Sequence, residues 1–203
     1  MTATGVLLAA GAGTRMGRPK ALVRDAAGVP WLENAARVLR AGGCDDVVVV
    51  LGAAADQARS LVPGDLGAVD VVVAHDWERG MGASLRTGLA RLAGTGAEMA
   101  LVHLVDLPDV GAEVVARVLA EGGTGGAAAL ARASYDGSPG HPVLLGRDHW
   151  PGVAATALGD RGARDYLAAH GCALVECGDL AGGADVDRPE GGAAPTGDQR
   201  TTP

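Results

Sequence analysis

Four apolar runs constrain this chain more than any other feature: Gly5–Ala9, Asp46–Leu51, Val69–Ala74 and Met99–Val105. They are rich in Val and Leu and lack polar alternation, the habit of strands covered on both faces. Helical patterns lie between them. After Pro30, which suits a first helical turn, Leu32, Ala35, Ala36 and Leu39 recur at helical spacing, and Gly42-Gly43 stops the helix. Ala83–Leu92 and Glu113–Leu119 are further helix candidates. Strand then helix, repeated, predicts an α/β fold with a mostly parallel sheet and helices on both faces.

The second half is less regular. Ala127–Ala131 and Pro142–Leu145 are predicted strands, at the sheet edge or in a hairpin; Ala163–Ala169 is a predicted helix and Ala173–Glu176 a last short strand. From Gly191 to Pro203 the chain is mainly Gly, Ala, Thr and Pro, so residues 1–190 are expected to form one domain and 191–203 a disordered tail. Hydrophobic residues make up 48% of the chain but aromatic residues only 2%, with no Phe, so the core must be built from Val, Leu and Ala.

A net charge of −7 argues against a broad nucleic-acid footprint but leaves room for a local anion site. Cys44, Cys172 and Cys177 make neither a disulfide framework nor a zinc spacing and are read as reduced thiols. No secretory leader is apparent, and no apolar run approaches the roughly 20 residues that span a bilayer. A cytoplasmic protein without membrane contact is expected.

The strongest chemical signal follows the first strand, in Leu8-Ala9-Ala10-Gly11-Ala12-Gly13-Thr14-Arg15-Met16-Gly17-Arg18-Pro19-Lys20. A Gly-rich loop at the carboxyl end of a strand exposes successive backbone N–H groups and lets a phosphate approach unobstructed. Arg15 suits bidentate contact with phosphate oxygens, and Lys20 acts as a point charge. The loop is neither of two common phosphate binders. A Walker A loop needs Gly-Lys then Ser or Thr, whereas Arg18-Pro19-Lys20 follows Gly17. A dinucleotide fingerprint needs G-x-G-x-x-G, and Gly11, Gly13 and Gly17 have one spacer too many.

The run LAAGAGTRMGRPK resembles the signature of the MobA-like nucleotidyltransferases, which include the molybdenum cofactor guanylyl- and cytidylyltransferases and have sugar-phosphate and isoprenoid-precursor relatives. The resemblance implies a Rossmann-like three-layer sandwich and Mg²⁺-dependent attack on the α-phosphate of a nucleoside triphosphate. It makes Arg15 and Lys20 the residues that hold the triphosphate. Leu8, Ala9, Ala10, Gly11, Ala12 and Gly13 would cradle the nucleotide.

Asp106 ends the strand Met99–Val105 and is followed by Leu107-Pro108. A carboxylate there projects into the same crevice as the loop, and Mg²⁺ is served by one or two carboxylates plus phosphate oxygens. Asp-x-Pro also resembles the family's metal motif. Asp109 is read as a cap for the next helix. Asp185-Val186-Asp187-Arg188-Pro189-Glu190 resembles a late family segment whose acid returns as the second metal ligand. By position that role falls on Asp187, with Asp185 as the alternative; Arg188 replaces the family's usual Thr.

Gly80–Arg86 resembles a family segment near the base; Ser84 either donates to the nucleotide or caps the helix, and Arg86 is read as solvated. Gly140-His141-Pro142 and Gly159–Arg164 resemble acceptor-side segments. They nominate His141, Arg161 and Arg164 for an anionic acceptor, with Asp160 as a helix N-terminal acid. Within the family, Ala9-Ala10 rather than Gly-Gly marks cytidylyltransferases, because an added methyl narrows the base site. The expected substrates are therefore CTP and molybdopterin, and a molybdoenzyme or its chaperone is a protein partner the resemblance implies. A sugar-1-phosphate nucleotidyltransferase and a non-catalytic nucleotide-binding module are the rival readings.

Overall fold

A computed structural model describes residues 2–67 and 69–187. The four predicted parallel strands form. They are β1 (Ala3–Ala9), β2 (Asp46–Leu51), β3 (Val69–Val73) and β4 (Met99–Leu104). The other three are β5 (Leu130–Tyr135), β6 (Ser138–Gly146) and β7 (Ala173–Glu176). All seven make one sheet in the order β3-β2-β1-β4-β6-β5-β7. β1 pairs parallel with β2 and β4, and β2 with β3. β6 runs antiparallel to both β4 and β5, and β7 closes the far edge parallel to β5.

The lack of polar alternation in the central strands has the expected cause: both faces are covered. Leu7, Val47, Val49 and Leu101 pack on α1 (Trp31–Ala41) and α4 (Ala112–Gly122), through Leu32, Leu39, Val114 and Val118. Val6, Leu8, Val48, Val50 and Val102 face α3 (Met81–Ala93), along with α5 (Trp150–Thr156) and α6 (Arg164–Ala169). Gly88 lets α3 lie low on the sheet, since a Cβ there would stand 2.6 Å from Val6 Cγ1. A short helix, α2 (Ala55–Arg59), follows β2. The core is Val, Leu and Ala, as the composition requires.

The second half departs from its predicted boundaries. Gly123–Ala128 forms a 3-10 segment where a strand over Ala127–Ala131 was expected, and β5 begins at Leu130. Gly126 at φ 55° breaks extended geometry there, and a run of small residues carries no period to mark the strand start. β5 and β6 form a hairpin around Asp136-Gly137, both at positive φ, the geometry favoured by a two-residue turn. Helices α2 and α5 were not predicted; both are short. The predicted tail over 191–203, with Arg188, Pro189 and Glu190, lies outside the described residues. Among the described residues no helix is long and apolar enough to cross a membrane.

The topology places the site. From β1 the chain winds outward to β2 and β3, then returns to add β4 on the other side of β1. The order reverses between β1 and β4, and in open α/β sheets ligands sit beyond the strand ends at such a switch point.

Candidate active site

The loop after β1 and the turn after β4 meet beyond that switch point, around a cavity of about 420 Å³. Leu8, Ala10, Gly11, Ala12, Gly13 and Lys20 line it from the loop side. Ala9 is 2% exposed and packs in the core beneath the loop; Ala10, itself 3% exposed, is the member of the pair that lines the cavity. Gly13, at φ 59°, lets the loop close on itself: Met16 N–H donates to its carbonyl at 2.9 Å, and a Cβ would collide with the Arg18 carbonyl. Gly11 differs, because an added Cβ would meet no protein atom within 4 Å. The protein's own packing does not demand glycine there, and the open backbone faces the space a phosphate would enter.

Opposite charges gather at this mouth. Lys20 Nζ donates to Asp106 Oδ2 at 2.5 Å and to Asp187 Oδ1 at 2.6 Å, while Arg15 Nη1 donates to Asp187 Oδ2 at 2.7 Å. The side chains of Lys20 and Asp106 are 16% and 13% exposed, whereas that of Arg15 is 77% exposed. Burial works to lower the Lys20 pKa, but the hydrogen bonds and charges of Asp106 and Asp187 together prevail and raise it. Asp187 is held below the usual carboxylate range by Lys20 first and Arg15 second. Asp185 joins them: carboxylate oxygens of Asp106, Asp185 and Asp187 lie within 4.8 Å of one another. Three hard oxygen donors at that spacing suit a divalent cation such as Mg²⁺ or Mn²⁺. The alternative between Asp185 and Asp187 dissolves, because the fold brings both to Asp106.

The late segment reaches the site because it is tied back along the way. Glu176, at the end of β7, accepts from Ser134 Oγ at 2.8 Å and from the backbone N–H groups of Asp136, Gly137 and Gly178. Those four donors, Ser134 foremost, hold its pKa down to about 2. Arg117 of α4 then grips Asp179 at 2.5 Å. Asp109 is not a helix cap: α4 starts after Gly111, and Asp109 Oδ2 instead accepts from Gly182 N–H at 2.9 Å and Gly183 N–H at 3.0 Å. Val186 N–H closes the path by donating to the Asp106 carbonyl at 3.0 Å.

The remaining wall is the start of α3. Ser84 lines the cavity from the first turn of that helix and is 4% exposed; Gly80, not Ser84, occupies the cap position. Arg86 is not simply solvated, since it donates to the Ala157 carbonyl and pairs with Asp76 at 3.2 Å. That contact helps hold the 157–160 turn against α3, and Asp160 thereby lines the cavity with Trp77, Glu78 and Met81. None of these four was predicted as a site residue. Asp160 lay in a recognised segment, but its role depends on where the turn lands.

The predicted acceptor residues separate. Arg161 pairs with Asp165 at 2.5 Å and does not line the cavity. His141 sits on β6 beyond Val143, the partner of Val102 near the end of β4, and its carbonyl accepts from Tyr135 Oη at 2.6 Å. Burial, then the fields of His103, Arg132 and Arg164, push the His141 ring down to about 3. A neutral imidazole offers an acceptor phosphate an N–H but no charge. Arg164 is exposed and close enough for its charge to reach both His141 and Arg132. Arg132, half-buried and bonded to the Gly140 carbonyl at 2.9 and 3.0 Å, is a cation of this region that the sequence did not single out.

Comparison with known proteins agrees with this geometry. Residues 5–174 match the MobA-like NTP transferase domain. The chain belongs to that family. It is 41% identical over 198 residues to nicotine blue oxidoreductase of Paenarthrobacter nicotinovorans, covering 92% of this chain and 93% of that one. Among solved structures it resembles Rv0371c of Mycobacterium tuberculosis H37Rv, with a TM-score of 0.76 and 29% identity over 93% of this chain and 94% of that one. Rv0371c has also been solved in complex with manganese, at a TM-score of 0.69 and 27% identity over 87% and 89% of the two chains. A nucleotidyl transferase from Methanothermobacter thermautotroptrophicus shares the fold, with a TM-score of 0.70 at 23% identity over 87% of each chain.

Proposed function

We propose that the protein is a Mg²⁺-dependent nucleotidyltransferase that moves CMP from CTP to the phosphate of molybdopterin. One observation carries the reading. The carboxylates of Asp106, Asp185 and Asp187 converge within 4.8 Å beside Lys20, at the mouth of a Gly-rich loop. That combination serves a triphosphate and a divalent cation together.

The loop N–H groups over Ala10–Gly13 would hold the phosphates, with Lys20 and Arg15 neutralising charge on the leaving pyrophosphate. The three aspartates would hold the cation, which when bound polarises the α-phosphoryl group. The attacking acceptor phosphate has its second pKa near 6, so it is already largely ionised at neutral pH. No general base is required of the chain, whose work is positioning and charge neutralisation. Alanine rather than glycine at Ala10, which lines the cavity, favours the smaller pyrimidine. The neutral His141 and the cations Arg132 and Arg164 mark the side from which an anionic acceptor would approach.

Pyrophosphate release with Mg²⁺, molybdopterin and CTP, GTP or ATP in turn tests this directly. Release with CTP alone is expected. Release with GTP would keep the reaction and overturn the base assignment; silence with all three would overturn the reaction.

A second reading comes from the relative named nicotine blue oxidoreductase. The loop after β1 lacks the G-x-G-x-x-G fingerprint, but its open N–H groups would still accept the pyrophosphate of a redox dinucleotide such as NAD(P)H, with a heterocycle as the group reduced. Hydride transfer makes no use of clustered carboxylates. Asp106→Asn should therefore lower nucleotidyl transfer at least about 100-fold while leaving any NAD(P)H oxidation with a heterocyclic acceptor largely intact. NAD(P)H oxidation without pyrophosphate release would favour this second reading.

A further inference from the structure

Among the described residues the acids that line the cavity are Asp106, Glu78 and Asp160. Lys20 holds Asp106, while Glu78, in the turn after β3, has no donor. Asp160 engages none among the described residues, although its neighbour Arg161 could have served it; Arg161 turns to Asp165 instead. The result is a carboxylate left without a donor at the wall of the nucleotide cavity.

Its position is tightly determined. Gly80, at φ 97°, opens α3, and a Cβ there would stand 2.5 Å from the Gly159 carbonyl carbon and 2.6 Å from Asp160 Oδ1. Two residues further on, a Cβ on Gly82 would stand 2.6 Å from the Ala157 carbonyl oxygen. Glycine at both positions lets the 157–160 turn lie directly on the start of the helix. Arg86 secures the arrangement from the same helix by donating to the Ala157 carbonyl. Asp160 is thus fixed next to Gly80, on the wall that also carries Ser84, while Lys20 lines the cavity from the phosphate loop. An ionised carboxylate only accepts hydrogen bonds. Beside a base it favours an N–H donor and repels a keto oxygen.

We infer that Asp160 is a specificity-determining residue whose carboxylate accepts a hydrogen bond from the exocyclic amino group of the base, selecting cytosine over uracil. This rests on the nucleotidyltransferase reading and deepens it, because it assigns base discrimination to the 157–160 turn as well as to the loop after β1. CTP and UTP differ in the group Asp160 would face, an amino group against a keto oxygen. An amide in the same place can serve either.

Calorimetric titration of CTP and UTP, with Ca²⁺ replacing Mg²⁺ to hold turnover back, tests the assignment on wild type, Asp160→Ala and Asp160→Asn. Wild type should bind CTP about tenfold more tightly than UTP, the scale of one hydrogen bond with charged character. Asp160→Ala should lose about that factor for CTP alone, and Asp160→Asn should bring the two nucleotides to within about threefold. Melting temperatures near wild type, expected for an exposed side chain, show that the variants fold. An unchanged CTP-to-UTP ratio in both variants would overturn the role of Asp160 and leave the proposed reaction standing. Failure of wild type to bind either nucleotide would overturn both.

Discussion

Replacing Lys20 by Met keeps the length of the side chain and removes the one charge that joins Asp106 to Asp187. In the ligand-free protein three carboxylates would then face one another within 4.8 Å, with Arg15 alone remaining and 77% exposed. Two unit charges at that distance repel by about 3.5 kcal/mol at an effective dielectric near 20. Asp185 is exposed and the Asp187 side chain 35% exposed, so solvent screening cuts the net cost to about 1–2 kcal/mol. For a chain of this size that lowers the melting temperature by about 2–8 °C in chelator. Divalent cation should act in the opposite sense. In wild type it must draw the carboxylates away from Lys20, whereas in Lys20→Met it is the only cation offered to them. Millimolar Mn²⁺ should therefore raise the melting temperature of the variant more than that of wild type, bringing the two closer. Scanning fluorimetry of both proteins in chelator and in Mn²⁺ measures all four values. A variant as stable as wild type in chelator, or an equal Mn²⁺ increment in both, would refute the view that Lys20 and the cation compete for one set of oxygens.

Asp109→Ala releases the N–H groups of Gly182 and Gly183; Mn²⁺ titration should show affinity falling by about tenfold, the usual scale for losing a group that orients metal ligands. Glu176 carries a pKa lowered to about 2 from the ordinary 4.5. Its contribution to stability is therefore complete above pH 4.5 and lost as pH falls toward 2. Glu176→Gln should be clearly less stable than wild type in denaturant titrations at neutral pH, and the two should converge near pH 2. A gap that persists unchanged to the acid end would show that the carboxylate charge is not what holds the β5–β6 hairpin to the segment after β7.

The sequence was sufficient for the parts of this protein whose cause is local. Short, β-branched-rich runs without polar alternation, separated by helical patterns, fit strands buried on both faces, so β1 to β4 and the three-layer arrangement were legible. A Gly-rich loop with Arg15 and Lys20 after the first strand, and an acid after the fourth, marked one crevice because parallel strands end on one side. Where a role depends on the landing of distant segments, local chemistry was not enough: family resemblance nominated Asp187 beside Asp106 with Asp185 as its alternative, and only the fold showed both arriving. Asp185 and Asp187 reach Asp106 together because Glu176, Asp179 and Asp109 anchor the returning chain. Asp160 lines the cavity, and Arg161 does not, because two glycines of α3 admit the 157–160 turn. Ala9 and Ala10 look equivalent in sequence and are both almost fully buried, yet of the two it is Ala10 that the fold brings to the cavity wall. Chain chemistry dictates which groups are available to a site; packing between segments far apart in sequence dictates which of them face it.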